Sequence, residues 1–390
     1  MSALPLPITA WSAVNGLGRS TAEVLAALDG GRSGLRPAPF ELPLATVVGA
    51  VPGTLPALPG ELGAYDCRIA RFSMMAFEEV RPAVLRAVAR YGKERVGIVL
   101  GTSTGGLEAT ERAYFGWRRS GEIAVDYDFH RQHSFNALGD LLARVAGVEG
   151  PVYTISTACS SSGKVMGSAA RLLESGFCDA VLVGGADSLC RMTLQGFHGL
   201  GVLSQVPCRP FAEGRAGINI GEGAAFQLVE RDADASVWLL GVGESSDAHH
   251  MSSPHPEGRG AAEAMSRAME AAGVSPDAVD HLNAHGTATA LNDAAEAIAI
   301  ETLFGDRLPV SSTKGYTGHL LGAAAATELV FAIHAVRTGR IPATLGCEAV
   351  DPNVRIDVVR ELRATRVRRA LSNSFAFGGS NVSVLVGERP

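Results

Sequence analysis

The chain has 390 residues, of which 46% are hydrophobic and 19% are charged, as in a well-packed soluble protein. This length exceeds what one small core can serve, so two domains or one large duplicated unit are expected. The formal net charge of −6 gives no indication of a nucleic-acid-binding surface.

The cysteines are spread along the chain without a C-x-x-C pair or a zinc-ligand spacing; they are Cys67, Cys159, Cys178, Cys190, Cys208 and Cys347. This pattern favours reduced thiols and a cytoplasmic location. Residues 1–5 lack a basic region followed by an apolar one, so no signal peptide is predicted. The most apolar long stretch, residues 320–336, is interrupted by polar residues and is predicted to be a buried helix, not a membrane span.

Short apolar runs alternate with a helical segment in the first half of the chain. Residues 96–100, 152–155 and 180–185 are predicted strands, and residues 164–175 are a predicted helix. This alternation is typical of βαβ units in a mostly parallel or mixed sheet.

A charged stretch, residues 230–236, is the predicted junction between two halves, residues 1–235 and 236–390. A second series of elements follows it. The predicted strands are 237–242, 281–284 and 309–311, the predicted helices are 260–272, 293–304 and 320–336, and a last strand pair brackets residues 372–381. Both halves end on alternating strand-like residues, which permits a distant duplication.

The most informative residue is Cys159, in the run ISTACSSSG at residues 155–163. A β-branched run ends before it and a helical segment follows, so the cysteine is predicted at a strand-to-helix turn. The positive end of a helix dipole favours the thiolate, which is the nucleophilic form. A buried, inert thiol is equally compatible with this segment alone.

Two histidines are candidate partners of Cys159. His285 lies in NAHGTAT, residues 283–289, and His319 lies in STKGYTGHLLG, residues 312–322. Each follows a predicted strand end, where the sites of α/β proteins gather. A nucleophilic cysteine requires a base or a hydrogen-bond donor near its sulfur, although not near it in sequence. Each histidine alone is more simply a structural hydrogen-bonding residue, but the three together indicate a catalytic set.

The run SNSFAFGGSN, residues 372–381, places two phenylalanines beside a double glycine. The glycines let backbone N–H groups approach a ligand oxygen closely, and the pattern permits a mobile hydrophobic flap. The alternative is an ordinary turn with two core phenylalanines. No phosphate-binding loop motif occurs.

In combination these motifs resemble the elongating β-ketoacyl-[acyl-carrier-protein] synthases of the thiolase-like superfamily. The resemblance covers essentially the whole chain. It rests on TACSS (157–161), RPF (209–211), GEG (221–223), NAHGT (283–287) with Thr289, Lys314, TGHLLGA (317–323), NSF (373–375) and FGG (377–379). It implies an α/β fold of five αβαβα layers made from two similar halves, the first with the nucleophile and the second with both histidines.

The resemblance implies an acyltransferase that performs a decarboxylative Claisen condensation. Cys159 would take an acyl chain from an acyl carrier protein and join it to a malonyl thioester. The N–H groups of Cys159 and Phe377 match the family's oxyanion hole, and Phe375 and Phe377 match its gating flap. Neutral His285 and His319 would donate hydrogen bonds to the malonyl thioester oxygen. Which histidine performs which step is left open.

Other positions match supporting roles. Lys314 matches a lysine that orders the site and tunes its electrostatics, and Thr287 and Thr289 match contacts to the phosphopantetheine arm of the carrier. No further cofactor is required, but an oxygen-rich set matches a buried Na⁺ or K⁺ site. That set is Asn283, Glu328, Ser372 and Asn373.

The acidic carrier protein requires a basic entrance, and Arg68 and Arg71 match a basic pair there. A solvated helix face is equally compatible with these two arginines. Ala376 stands where the family usually has glycine between the two phenylalanines, which would stiffen the flap. Residues 187–211 look more like synthases of aryl-polyene or related polyene clusters than housekeeping enzymes.

Three alternatives concern assembly and reaction type. The chain is expected to be a homodimer or the active half of a heterodimer with a chain-length-factor-like subunit. Such a subunit usually lacks the nucleophile, so Cys159 disfavours a non-catalytic role for this chain. A thiolase would need a second catalytic cysteine near the C-terminal loop, and residues 372–381 contain none.

Overall fold

The computed structural model describes residues 5–389 and consists of two sheet-forming halves around a shared helix layer. The strands are β1 (Leu6–Asn15), β2 (Arg36–Pro37), β3 (Val47–Val48), β4 (Val96–Gly101), β5 (Val152–Ile155), β6 (Ala180–Asp187), β7 (Gly223–Glu230), β8 (Val237–Ser246), β9 (His281–Asn283), β10 (Pro309–Ser311), β11 (Arg340–Ile341), β12 (Asp357–Val358), β13 (Arg363–Ala364), β14 (Arg369–Phe375) and β15 (Ser380–Gly387). The α-helices are α1 (Thr21–Asp29), α2 (Arg68–Tyr91), α3 (Leu107–Ser120), α4 (Ala137–Ala146), α5 (Ser161–Glu174), α6 (Arg191–Gly199), α7 (Arg259–Ala272), α8 (Ala290–Phe304), α9 (Lys314–Thr317) and α10 (Ala324–Thr338).

The two halves repeat one strand order. Together they form one continuous 11-stranded sheet, joined between β1 and β8, to which the first half contributes a sheet of the order β5-β4-β6-β7-β1 and the second half a sheet of the order β10-β9-β14-β15-β8, with β12 added at its edge. In both, the three strands at one end pair in parallel and the remaining pairings are antiparallel. The expected pair of similar halves is therefore confirmed. The boundary between residues 235 and 236 stays a prediction; β7 ends at Glu230 and β8 begins at Val237.

The strand β1 connects the two halves, and the sequence does not predict it, since the first clear strand pattern is at residues 96–100. It pairs antiparallel with β7 along most of its length, and Leu6, Pro7 and Ile8 pair with the start of β8. Its sequence mixes prolines, hydroxyl residues and apolar residues, so it shows neither strict alternation nor a continuous apolar run. Only its central position in the joined sheet explains its burial.

Five layers result from the way the helices cover the sheets. The helices α5 and α10 lie between the two sheets, where Val165 and Met166 of α5 share a core with Leu329 and Ile333 of α10. The outer face of the first sheet is covered by α2 and α4, and that of the second by α7 and α8. The predicted five-layer α/β architecture is thereby confirmed.

The helix boundaries differ from the predictions at two functional positions. The helix α5 begins at Ser161, closer to Cys159 than the predicted start at residue 164. The helix α10 begins at Ala324 instead of residue 320, because a short 3₁₀ turn, Leu321–Ala323, separates it from His319.

None of the helices in residues 5–389 is long and apolar enough to cross a membrane. Residues 1–4, on which the prediction about a signal peptide mainly rests, and residue 390 lie outside the described residues.

Candidate active site

A cavity of about 360 Å³ brings together residues that are far apart in the sequence. Seven of the predicted site residues line it; they are Cys159, His285, Thr287, Thr289, His319, Phe375 and Phe377. The first half supplies the cysteine and the second half supplies both histidines. Within residues 5–389, Cys159 is the sole cysteine in the wall of this cavity.

Cys159 lies on the tight turn between β5 and α5. The backbone N–H of Thr157 donates to Ser161 Oγ at 2.9 Å, which closes the turn around the cysteine. Gly101 at the end of β4 packs so closely that a Cβ there would collide with the backbone of Ser162. Because β4 carries glycine at this point, the start of α5 can approach the sheet and hold Cys159 at its edge.

A strained backbone position lies close to each of Cys159, His285 and His319. Ala158 has a φ of 52°, Ala288 a φ of 64° and Leu321 a φ of 53°. These left-handed conformations cost about 1 kcal/mol or more in a residue with a Cβ, and such strain gathers at functional sites. In residues 5–389 there are five non-glycine residues with positive φ, and these three lie within three positions of Cys159, His285 or His319.

The Cys159 thiol is protonated at rest. Burial raises its pKa to about 12, and the positive charge of Lys314 opposes that rise only in part. A helix N-terminus contributes at most about 2 kcal/mol, which equals roughly 1.5 pKa units. The predicted preference for the thiolate is therefore wrong for the resting site, because desolvation outweighs the helix dipole. A nucleophilic attack by this thiol would therefore require a proton acceptor at the moment of attack.

His285 and His319 can serve as neutral hydrogen-bonding groups. Their rings stand nearly perpendicular, at 83°, with centroids 5.2 Å apart. Burial is the main cause that lowers the pKa of both imidazoles well below 6.5, and the charge of Lys314 lowers both further. The Nδ1 atoms of both rings have no hydrogen-bond partner within the described residues. Both histidines are thus uncharged at neutral pH, as the resemblance implies.

Lys314 is a buried cation behind the site, not a solvated lysine. Its side chain is 1% exposed, and Nζ donates to Glu328 Oε1 at 2.5 Å. Glu328, on α10, is also buried. Lys314 does not line the cavity. It acts on Cys159 and the two histidines through its electric field, which lowers the pKa of all three.

The hairpin between β14 and β15 forms the predicted flap. Phe375 ends β14, and its ring centroid lies 5.8 Å from that of His285. Phe377 is 41% exposed, and its ring centroid lies 6.2 Å from that of Phe197 on α6. Gly378 and Gly379 both have positive φ, so the hairpin requires glycine there. Of these two phenylalanines only Phe375 is buried, and the alternative of two core phenylalanines therefore does not hold.

Thr287 and Thr289 stand together on the loop that follows β9. Their hydroxyl oxygens are 2.9 Å apart, at hydrogen-bonding distance. Arg215, which sequence reasoning missed, also lines the cavity and donates to the carbonyl oxygens of Thr289 and Ala290 at 3.4 and 3.2 Å. Its guanidinium forms an ion pair with Asp351 at 2.6 Å. This arginine fixes the loop that carries the two threonines.

Glu296 is a second residue that sequence reasoning missed. Its carboxylate accepts hydrogen bonds from the backbone N–H groups of His285 and Gly286, both at 2.8 Å, and from Asn373 Nδ2 at 3.1 Å. Burial raises its pKa to about 7. Glu296 thus fixes the backbone at His285 and, through it, the position of the imidazole ring.

A signal for Glu296 is present in the sequence. Asp293, Glu296 and Ile300 follow the i, i+3, i+7 spacing on α8, so two carboxylates occupy its buried face. Asp293 accepts hydrogen bonds from the N–H groups of Phe211 and Ala288 at 2.8 and 3.1 Å. Charged residues on an apolar helix face are rare unless they are paired, and both carboxylates bind backbone close to the site.

Asp187, at the end of β6, is a further buried carboxylate near the nucleophile. It accepts hydrogen bonds from Thr102 Oγ1 at 2.8 Å and from the N–H groups of Ser103 and Thr104 at 3.0 and 2.9 Å. Its charge is one of the causes that raise the pKa of Cys159. This network orders the loop after β4, against which α5 packs.

The predicted cation-binding residues fit an oxygen-rich site only in part. Asn283 and Ser372 pair on neighbouring strands, and Ser372 Oγ and Glu328 Oε2 are buried without a hydrogen-bond partner in the described residues. Asn373 differs, because its Nδ2 donates to Glu296 and its Oδ1 accepts from Ser383 Oγ at 2.8 Å. Three of the four residues thus remain candidates for holding a monovalent cation.

The two arginines predicted to contact the carrier protein are already paired within the chain. Arg68 Nε donates to Glu222 Oε2 at 2.8 Å, and Glu222 is fully buried. Arg71 Nε donates to Asp66 Oδ1 at 2.7 Å. Neither arginine lines the cavity. The carrier-protein contact therefore stays a prediction for both.

Comparison with known proteins gives consistent matches. The family model "Beta-ketoacyl synthase, N-terminal domain" matches residues 7–235, and "Beta-ketoacyl synthase, C-terminal domain" matches residues 237–348. The chain is 34% identical over 339 residues to a Staphylococcus aureus 3-oxoacyl-[acyl-carrier-protein] synthase 2, a match that covers 82% of this chain and 84% of the relative.

Two solved structures have the same fold. The ketosynthase ApeO, in complex with its chain length factor ApeC from Xenorhabdus doucetiae, is 37% identical, with a TM-score of 0.94 over 99% of this chain and 98% of that chain. A β-ketoacyl synthase from Burkholderia phymatum STM815 is 30% identical, with a TM-score of 0.88 over 100% of both chains.

Proposed function

This chain belongs to the β-ketoacyl synthase family, and we propose that Cys159, His285 and His319 perform the condensation reaction of that family. The activity is that of a 3-oxoacyl-[acyl-carrier-protein] synthase, an acyltransferase that lengthens an acyl chain with loss of CO₂. The observation that supports these three residues is the cavity shared by the cysteine and the two neutral imidazoles.

Acyl transfer to Cys159 is the first step. The sulfur attacks the carbonyl carbon of the incoming thioester, the bond to the carrier's thiol breaks, and the thiol proton passes through a neutral imidazole to the leaving sulfur. The backbone N–H groups of Cys159 and Phe377 would bind the oxyanion that forms on the carbonyl oxygen. Because the resting thiol is protonated, this proton transfer is part of the reaction and not a step completed beforehand.

Condensation is the second step. The carbon–carbon bond to the malonyl carboxylate breaks and releases CO₂, and negative charge develops on the malonyl thioester oxygen. His285 and His319 would stabilise that charge by donating hydrogen bonds as neutral groups. The carbon then attacks the acyl carbonyl, the bond to Cys159 Sγ breaks, and the departing sulfur takes up a proton that water supplies through a neutral imidazole.

Replacement of either histidine is expected to separate the two steps. His285→Ala and His319→Ala should each lower the rate of CO₂ release from malonyl carrier protein by at least about 100-fold, because a hydrogen bond to the developing charge is lost. Acyl loading on Cys159, read as a mass increase of the intact protein, should be affected less. Rates of ¹⁴CO₂ release and of loading are measured on the same preparations.

His281→Ala is the matched control for these variants. His281 is as buried as the two site histidines and binds Ser311 Oγ at 2.9 Å, but it does not line the cavity. It should lose stability without a selective loss of CO₂ release. Normal CO₂ release in both site variants would contradict the proposed role of the histidines.

A thiolase reaction is the competing assignment. It would need a second cysteine at the site, whereas Cys347 is buried and lies outside the cavity wall. Malonyl decarboxylation together with no cleavage of acetoacetyl-CoA would agree with the synthase; cleavage of acetoacetyl-CoA without decarboxylation would overturn it.

We further propose that this chain pairs with a second subunit through an apolar patch on and after α3. The patch consists of exposed residues, namely Tyr114, Phe115, Trp117, Ile123, Val125, Phe129 and Phe135. Exposed apolar residues of this number in one segment are typical of an interface. The likeness to ApeO, solved with its chain length factor, favours a heterodimer in which this chain is the active half, with a homodimer as the alternative.

Trp117→Glu is expected to weaken that assembly, because a charge would be buried in the interface. The mass of the variant in solution is measured by light scattering, with and without a candidate chain-length-factor-like subunit. We expect the mass of a monomer for the variant and that of a dimer for the wild type. Phe177→Glu, which changes an exposed aromatic residue elsewhere, is the control. An unchanged dimer in the Trp117 variant would contradict this interface.

The remaining proposals concern ligands and biological context. The loop of Thr287 and Thr289 would bind the phosphopantetheine arm, and an acyl carrier protein would dock near Arg68 and Arg71 beside their ion pairs. A Na⁺ or K⁺ ion would be held by three residues, namely Asn283, Glu328 and Ser372. Cytoplasmic location and a role in an aryl-polyene or related polyene cluster rest on the sequence alone.

A further inference from the structure

The short helix α6 forms one wall of the substrate cavity. Its residue Phe197 lines the cavity, and the Phe197 ring lies 6.2 Å from the ring of Phe377 on the flap. The two aromatic rings stand on different segments, so their separation depends on where α6 is held.

The residues of α6 themselves do little to fix the position of this helix. Of its nine residues Leu194 is the one that is buried, two are glycines, Gly196 and Gly199, and Gly201 follows its C-terminal end. The Sγ atom of Cys190, at its N-terminal boundary, lies 2.9 Å from the Thr193 hydroxyl, but the Cys190 side chain does not cap a backbone N–H of the first turn. An uncapped helix with one buried residue is expected to shift or fray easily.

Glu111, on α3, supplies the missing cap. Its Oε1 accepts from the N–H of Arg191 at 3.1 Å, and its Oε2 accepts from the N–H of Met192 at 2.8 Å. A carboxylate at this place satisfies two of the free N–H groups and matches the positive end of the helix dipole.

The side chain of Arg191 adds to the same attachment. Its guanidinium lies 3.6 Å from Glu111 Oε1, and it stands over the rings of Phe40 and Phe115 at 4.9 and 5.6 Å. These contacts all gather at the first residue of α6. The other end of the helix, with Phe197, has no comparable attachment to α3.

We propose that Glu111 is a positioning residue for the substrate cavity: by binding the first two N–H groups of α6, it holds Phe197 beside Phe377 and so sets how far the cavity opens toward Cys159. The inference rests on the proposed function, because Cys159 matters as the residue that is acylated. Glu111 lies outside the cavity wall and acts through α6.

The test measures how readily reagents of two sizes reach Cys159. Iodoacetamide and a bulky aryl maleimide are reacted with the full chain, and the modified cysteine is identified by peptide mass spectrometry. The ratio of the maleimide rate to the iodoacetamide rate corrects for any change in thiol reactivity. A lost cap costs about 1 kcal/mol or somewhat more, so Glu111→Ala should raise this ratio roughly five- to tenfold.

A double-mutant comparison shows whether Glu111 acts through Phe197. Phe197→Ala should raise the ratio as well, and the double variant should exceed Phe197→Ala by less than twofold. Glu111→Gln, which keeps the side-chain volume but turns an amide N–H₂ toward a backbone N–H, should give an intermediate ratio. It also replaces Glu111→Ala if that variant does not fold.

Glu263→Ala, in an exposed pair on α7, is the control and should leave the ratio unchanged. An unchanged rate ratio in the Glu111 variants would overturn the proposal. So would a rate ratio in the double variant that is raised by the product of the two single-variant effects. Labelling requires no condensation, so this result is independent of whether Cys159 carries the acyl chain.

Discussion

Cys159→Ala is expected to take up no acyl group and to lose at least about 10³-fold of the condensation rate, because the covalent intermediate has no other attachment point. The measurement is the mass of the intact protein after incubation with an acyl carrier protein, where the wild type gains the mass of the acyl group and the variant does not. The same cavity contains no second cysteine in residues 5–389 that can substitute for it.

Cys178→Ala is the matched control, since Cys178 is a fully buried thiol that lies away from the cavity. It should load normally, with at most a modest loss of stability. Acyl loading that persists in Cys159→Ala would remove the basis of the proposed function.

The pH dependence of the Cys159 thiol follows from its raised pKa. Only the thiolate reacts with iodoacetamide, and with a pKa of about 12 the thiolate fraction rises about tenfold per pH unit throughout the range from 7 to 9. The alkylation rate of Cys159 should therefore rise over this range without a plateau. A plateau near neutral pH would mean that the helix dipole and Lys314 outweigh burial.

Lys314→Met is expected to produce the largest loss of stability. The substitution leaves the Glu328 carboxylate buried without its cation, which typically costs about 3–5 kcal/mol of unfolding free energy. Urea denaturation measures this loss. The condensation rate should also fall by at least about tenfold, because the positive charge that adds to burial in lowering the pKa of both imidazoles is removed.

The stability of the Lys314→Met variant should depend on pH through Glu328. Without Lys314 the pKa of Glu328 rises further, so above pH 4.5 the folded state binds a proton that the unfolded state does not. Stability therefore falls as the pH rises, and the variant should be closest to the wild type near pH 5 and weakest near pH 8.

The double variant Lys314→Met, Glu328→Leu separates stability from electrostatics. Removal of both charges should restore most of the unfolding free energy, since an apolar pair can replace a buried ion pair at little cost. The condensation rate should stay low, because the positive field is still absent. Full recovery of the rate would show that Lys314 acts only on stability.

Much of the fold could be predicted because its elements are local patterns. The strands β4 and β6 contain short apolar runs, and a glycine follows the end of each of the helices α5, α7 and α8. The strand β1 and the long helix α2 were missed. In β1 no period-two pattern is visible, since Thr9 and Ser12 lie among apolar residues and the burial follows from its position between two other strands.

The site could be predicted as a set of residue types but not as an arrangement. The motifs around Cys159, His285 and His319 are specific enough to indicate the family and its reaction. The resemblance implies neutral imidazoles, but the protonation of the Cys159 thiol could not be predicted, because desolvation depends on atoms contributed by distant segments. For the same reason the roles of Glu296 and Glu111 were not visible, since both bind backbone N–H groups of other elements.

The sequence by itself determined the family, the two-half α/β architecture and the identity of the candidate nucleophile and histidines, because these depend on local motifs and their order. The tertiary structure alone decided that the resting thiol is protonated, that Lys314 and Glu328 form a buried pair, and that Arg68 is neutralised by Glu222. Each of these is a property of charge and burial, and burial exists only after segments hundreds of residues apart have packed together.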